Sequence, residues 1–236
     1  MTLTPVCEFQ GVTRRFVDGN RHVTAIDNFS LTIQRGEFVA IMGPSGSGKS
    51  SVLNLAGGLD VPTDGTVLVD GQDLALLNVA ELAAVRRRRV GYIFQRLNLL
   101  PTLTAEENVM LPLELDGVAV RAARQQAAAA LDSVGLAGMN RSFPDELSGG
   151  QQQRVAIARA LVGDRTLLLA DEPTGALDTT SGEGVLELLA AQCEQGRAVV
   201  LVTHEPRFAS FADRVIQLRD GHVVLPSSRV MLESVG

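Results

Sequence analysis

Lys49 is the only lysine in the chain, and the other 20 of its 21 basic residues are arginine. A position that keeps an ammonium where every other basic site carries a guanidinium needs a compact point charge on a slim stem. Lys49 sits in Gly43-Pro44-Ser45-Gly46-Ser47-Gly48-Lys49-Ser50, with Ser51 next. Glycines at 43 and 48 followed by Lys and Ser form a phosphate-binding pattern: bare backbone N–H groups converge on phosphate oxygens, and a helix N-terminus adds positive potential. Lys49 would reach the β- and γ-phosphates of ATP, and the Ser50 hydroxyl would ligate Mg2+. Further along, Leu167-Leu168-Leu169-Ala170 delivers the acidic pair Asp171-Glu172. Asp171 is placed to hold Mg2+ through water, and Glu172 to polarise an attacking water. Such a pair after a strand is by itself most often a solvated loop; a phosphate loop upstream turns it into a hydrolytic candidate.

The third constellation is Ser148-Gly149-Gly150-Gln151, preceded by Leu147 and followed by Gln152-Gln153-Arg154. Ser148 can cap a helix running to about 161. The two glycines leave backbone N–H groups bare at that helix start, a second anion grip. One ATP does not need two grips from one chain, so this one is expected to serve ATP held by another copy.

These residues need elements to hold them. An apolar run at 38–42 reads as a buried strand ahead of the phosphate loop, and 50–56 as the helix after it. Residues 6–13 and 22–34 alternate apolar and polar, as antiparallel strands do. A strand is expected at 65–69, a helix at 78–89, a strand at 90–94, helices over 104–134 broken near Asp116-Gly117, and buried parallel strands at 167–170 and 199–203 flanking a helix at about 180–194. Asp220-Gly221 between two apolar runs reads as a hairpin. The fold class is α/β: a phosphate-loop NTPase core with a mainly parallel sheet, an antiparallel β part near the N-terminus, and a helical insert at about 96–162. The whole of 1–236 is expected to be one ATP-binding domain.

Net charge is −6, against the basic excess of a nucleic-acid binder. The two cysteines, Cys7 and Cys193, have no metal-ligand spacing and read as inert thiols. No apolar run is long enough to span a bilayer, and the N-terminus lacks a signal-peptide pattern. The expectation is a cytoplasmic protein that reaches a membrane through a partner. His22 and His222 read as ordinary surface residues, and Arg86 to Arg89 as a solvated helix face, with lipid headgroups or a partner as the alternative.

Ser148-Gly149-Gly150-Gln151 between a phosphate loop and an Asp-Glu strand resembles the signature of the ABC ATPase family over essentially the whole chain. The resemblance implies further roles. Gln95, closing Val90-Gly91-Tyr92-Ile93-Phe94-Gln95, is similar to the glutamine that reaches Mg2+ and the attacking water. His204 is similar to the switch histidine that contacts the γ-phosphate. Asp178, in Gly175-Ala176-Leu177-Asp178, resembles the aspartate at the dimer seam. Phe16 matches the aromatic that stacks on adenine, where the family more often has Tyr. Gly175 stands where Ser is common. The family implies hydrolysis of ATP to ADP and phosphate, with Glu172, His204 and Gln95 catalytic.

Leu55-Ala56-Gly57-Gly58-Leu59-Asp60, Asn98 to Ala105 and Glu107 to Leu113 resemble the branch serving lipoprotein release, macrolide and peptide efflux, and FtsE-like cell-division complexes. That implies an ATP-sandwich dimer with a second copy and an integral-membrane permease of the FtsX/MacB type, on whose inner face the chain would sit. The apolar segment Arg96-Leu97-Asn98-Leu99-Leu100-Pro101 after Gln95 is the candidate permease contact, with burial in the helical insert as the alternative. ABC proteins that act on DNA or ribosomes are disfavoured: no sustained heptads separate phosphate loop from signature, one ATPase domain is present, and the chain is acidic. A sugar-import type is disfavoured because no regulatory domain is expected after His222.

Overall fold

The computed structural model describes residues 4–18, 21–175 and 177–228. Strands β1 (Cys7–Asp18), β2 (Arg21–Ile33), β4 (Asp64–Val69) and β5 (Gln72–Asp73) form an antiparallel sheet ordered β2-β1-β4-β5. Strands β3 (Phe38–Met42), β6 (Val90–Ile93), β7 (Leu167–Asp171), β8 (Ala198–Val202), β9 (Arg214–Arg219) and β10 (His222–Ser228) form the second sheet, ordered β10-β9-β3-β8-β7-β6. Every neighbouring pair there is parallel except the β9–β10 hairpin, which turns at Asp220-Gly221.

The parallel strands read as unbroken apolar runs because both faces are covered. Val39, Ile41, Leu167, Leu169, Val200 and Val202 pack into a core with helix α1 (Lys49–Ala56) and the antiparallel sheet. Their neighbours Phe38, Leu168, Ala170, Val199 and Leu201 face a second core built by the helices. Between β6 and β7 lie α3 (Ala105–Glu114), α4 (Val120–Ser133) and α5 (Gly149–Leu161), with no strand. The remaining helices are α2 (Val79–Arg88), α6 (Thr179–Glu194) and the single turn α7 (Pro206–Ala209). Among the described residues no helix is long and apolar enough to cross a membrane.

Local sequence sets the helix starts. Asn78 with Glu81, Thr104 with Glu107, and Ser148 with Gln151 each form a reciprocal capping box at the start of α2, α3 and α5. Close approach sets where α5 lies: a Cβ at Gly91 on β6 would stand 2.1 Å from the Ala160 carbonyl oxygen. Only glycine lets α5 seat on that strand.

Three differences from the sequence reading have physical causes. β1 runs on past residue 13, where its alternation fails because the β1–β2 register shifts between Phe9 and Val12 and again before Arg15. β5 and α7 are too short for a period to show. Arg86 to Arg89 do not form a merely solvated face: Arg86 donates to the Gly58 carbonyl, Arg87 and Arg88 both pair with Asp116 at the end of the insert's first helix, and Arg89 lies 3.7 Å from Asp70. The fold brings Asp116 to the last turn of α2, which helical periodicity cannot reveal.

Cys7 is buried and Cys193 half-buried, and burial pushes each thiol up to about 12, as inert thiols require. His222 is exposed, 3.7 Å from Asp27. The side chain of His22 lies outside the described residues.

Candidate active site

The C-terminal ends of β3, β6, β7 and β8 open on one cleft of about 650 Å3, lined by Ser45, Gly46, Gly48, Lys49, Ser50, Ser51, Gln95, Asp171, Glu172 and His204. That is where ligands bind in open α/β sheets, and the volume is of the size that small-molecule sites have. β3 leads into the loop 43–48, and α1 starts at Lys49. Gly48 adopts φ 100°, and a Cβ there would meet the Ala25 carbonyl oxygen at 2.2 Å, so β2 lies against the loop and admits no side chain. The Lys49 stem is buried, and its ammonium donates to the carbonyls of Gly43 and Pro44, both at 2.8 Å. The loop is thereby folded around the ammonium that a phosphate would meet.

The acidic pair has two different environments. The Asp171 carboxyl is pushed above the usual carboxylate range, chiefly by burial; a hydrogen bond from Ser50 and the charge of Lys49 act the other way, and the neighbouring Glu172 adds to the rise. The Glu172 side chain is likewise half-buried. Gln95 Nε2 donates to its Oε2 at 3.4 Å, and His204 Nδ1 lies 3.2 Å from its Oε1. Glu172 holds φ 44°, a left-handed conformation rare for a residue that is not Gly, Asn or Asp. Its N–H donates to the Val202 carbonyl and its own carbonyl accepts from Gly175, which fixes the backbone there. Strain retained at such a point marks a side chain whose aim matters more than its comfort.

The other candidates stand apart from this cleft. Ser148 caps α5, accepting from the Gln151 N–H at 3.3 Å, while Gln151 Oε1 accepts from the Ser148 N–H at 2.8 Å. Both Ser148 and Gly149 are exposed, and a Cβ at Gly149 would touch nothing within 4 Å. Asp178 caps α6 through Ser181, bonds that hold its carboxyl below the usual range. Ala176 lies outside the described residues. Phe16 sits on β1 opposite Val23, half-exposed and outside the lining of the cleft.

The profile of ABC transporters matches residues 26–175. This chain belongs to the ABC transporter family. It is the family's ATP-binding, ATPase domain. The macrolide export ATP-binding/permease protein MacB of Photorhabdus laumondii is 48% identical over 225 residues, 95% of this chain and 35% of that protein. The chain thus spans 35% of the length of such MacB relatives. The ABC transporter ATP-binding protein YknY of Bacillus subtilis is 46% identical over 221 residues, 94% of this chain and 96% of YknY. Among solved structures, the dimeric post-hydrolysis state of the ATP-binding cassette MJ0796, bound to ADP and Pi, is 43% identical with a TM-score of 0.88, covering 94% of this chain and 98% of that one. The MacB relatives agree with the branch that residues 55–60, 98–105 and 107–113 resemble.

Some residues that shape this ABC domain escaped the sequence. Ala25 lines the cleft from β2, with no chemical signature to find it by. Asn108 is fully buried and organises the loop after Gln95, accepting from the Leu100 N–H and donating to the carbonyls of Leu100, Leu103 and Thr104. Arg159 reaches the same loop, donating to the carbonyls of Leu97 and Asn98. Within that segment Leu99 packs on the helical core, and Leu100 is exposed.

Proposed function

We propose that this domain hydrolyses ATP at Glu172 as one of two copies that sandwich two ATP molecules, and that it drives an FtsX/MacB-type integral-membrane permease. The observation that carries the reading is the bracketing of the Glu172 carboxylate by Gln95 and His204 at the mouth of the phosphate-loop cleft. The triphosphate lies along residues 43–51, and Lys49 exchanges its two carbonyl acceptors for β- and γ-phosphate oxygens. Phe16 supplies a face for adenine. Glu172 accepts a hydrogen bond from water, whose oxygen attacks the γ-phosphorus as the bond to the β-phosphate oxygen breaks, and ADP and phosphate leave. Gln95 and His204 hold the carboxylate on that water, and His204 senses the γ-phosphate.

Ser50, Gln95 and Asp171 offer hydroxyl, amide and carboxylate oxygens, and no cluster of three or more His, Cys, Asp or Glu exists among the described residues. A sparse set of hard oxygens suits Mg2+, which keeps phosphate oxygens and water for its remaining positions. When bound, Mg2+ would neutralise charge on the β- and γ-phosphates.

Two features support the partners. Ser148, Gly149 and Gly150 do not line the cleft of their own chain, so the γ-phosphate of one copy would be closed by Ser148 to Gln151 of another, with Asp178 at the seam. The MJ0796 cassette is itself dimeric. A largely apolar groove of about 240 Å3, lined by Leu59, Tyr92, Phe94, Leu111, Pro112 and Leu115 and by the side chains of Arg86, Arg87, Arg159 and Arg165, adjoins Gln95 at Phe94. Phe94 stacks on Tyr92 at 4.1 Å, so movement of Gln95 would be felt in the groove wall. A cytoplasmic helix of the permease in this groove would hold the domain on the inner face of the membrane.

The deciding experiment is Glu172→Gln. Turnover is expected to fall by about 10²-fold or more while ATP binding persists. Hydrolysis at the wild-type rate would remove Glu172 from the chemistry.

A further inference from the structure

The Phe16 ring is backed by charge. Arg14, two residues earlier on β1, holds its guanidinium carbon 4.3 Å from the ring centroid. The guanidinium does not lie there by chance of rotamer: Arg14 Nε donates to Asp60 Oδ2 at 2.8 Å, and both side chains are mostly buried. Asp60 is itself fixed. Its Oδ1 accepts from the Val61 N–H, and its own N–H donates to the Asn54 carbonyl, inside α1. A continuous link therefore runs from the helix of the phosphate loop through Asp60 and Arg14 to one face of Phe16, and leaves the ring half-exposed.

We propose that Arg14 is a positioning residue for the nucleotide base: clamped by Asp60, it covers one face of Phe16 and holds the other ready for the purine. The proposal rests on the reading of Phe16 as the adenine platform. A phenyl ring on an exposed strand loses rotamer freedom when a base stacks on it, and a ring already held has less to lose. Cation–π contact supplies the hold, and Arg offers it with a fork that also meets a carboxylate. Lys at this position would keep the charge and lose the joint geometry.

The test compares equilibrium binding of ATP and of inorganic tripolyphosphate, which has no base, to the full chain. Arg14→Ala and Arg14→Gln are expected to weaken ATP about threefold or more, with an intermediate effect for Arg14→Lys. Tripolyphosphate should bind unchanged, kcat should hold while KM rises, and the Arg14→Ala effect should vanish in a Phe16→Ala background. Asp60→Asn should act in the same direction. Equal weakening of ATP and tripolyphosphate, or an Arg14 effect that persists without Phe16, overturns the proposal and leaves Arg14 a structural residue. Unchanged ATP affinity in Arg14→Ala overturns it too, with Phe16 still the platform if Phe16→Ala weakens ATP. If Phe16→Ala leaves ATP affinity untouched, the platform reading falls and Arg14 with it. Thermal unfolding without nucleotide runs beside each variant, and the ATP-to-tripolyphosphate ratio is independent of any loss of stability.

Discussion

At the scale of residues, one lysine in a chain of arginines explains itself once its surroundings are known. The Lys49 ammonium fits beneath a tight loop between two carbonyl oxygens, with its stem buried. A guanidinium is planar and wider, and it cannot turn within that space to face a phosphate. Lys49→Ala and Lys49→Arg are therefore both expected to weaken ATP binding by about tenfold or more, about 1.4 kcal/mol. Titration with ATP checks this; an Arg variant that binds like wild type would show that charge alone suffices. Glu172 and Asp171 differ for equally local reasons. Asp171 is half-buried and bonded to Ser50, while Glu172 is held by a left-handed backbone between Gln95 and His204. One can steady a cation and the other can meet a water.

At the scale of elements, the position of the proposed second phosphate grip depends on where α5 lies. Ser148 starts α5, and α5 rests on β6 at the contact between Ala160 and Gly91. Gly91→Ala would drive a methyl into a backbone carbonyl, which cannot move aside as a flexible side chain can. The expected cost is about 3 kcal/mol, the upper part of the range for overpacking, read as a lower denaturant midpoint with an unchanged slope. A midpoint equal to wild type would show that α5 can ride outward freely. The same contact ties the insert to the core, and Asp116 does so again with Arg87 and Arg88. These half-exposed ion pairs contribute modestly to stability; their effect is to fix direction.

At the scale of the whole molecule, the phosphate loop and the helix start at Ser148, which we propose as a second phosphate grip, do not share a cleft in one copy. The Glu172→Gln chain is expected to run as a dimer with ATP, and adding Ser148→Arg should return it to monomer, because a bulky cation would occupy the bare helix start. Size-exclusion chromatography with light scattering decides it: a Glu172→Gln chain that stays monomeric at saturating ATP, even with its permease, would sink the two-copy site. The groove beside Gln95 makes a second prediction. Leu115 is 65% exposed and lines that groove. Leu115→Asp should abolish co-purification with the permease and its stimulation of ATPase, with basal turnover and thermal unfolding close to wild type. A folded variant that still binds and responds would take the groove out of the coupling route.

The candidate groups were legible in the chain because their parts are contiguous. A phosphate loop, an acidic pair closing an apolar strand, and a capped Gly-Gly helix start each need neighbours along the backbone, so residues 43–50, 167–172 and 148–151 stood out as candidates. The parallel strands were legible for the same reason, since burial on both faces leaves an unbroken apolar run. Tertiary structure decided whatever depends on residues far apart in sequence. Bulges carried β1 beyond its alternating stretch. Asn108, unremarkable within a helix, became the anchor of the loop after Gln95 once Leu100 and Leu103 were folded over it. Arg86 to Arg89 found Gly58, Asp116 and Asp70, where charge along one helix had suggested only solvent. Glu172 took a left-handed backbone because β7 and β8 pair at Asp171 and Val202 and the next N–H must return to Val202. Hydrogen bonds and contacts across the sheet have no periodicity to announce them, so the chain alone named the candidate groups and only the fold set how they are aimed.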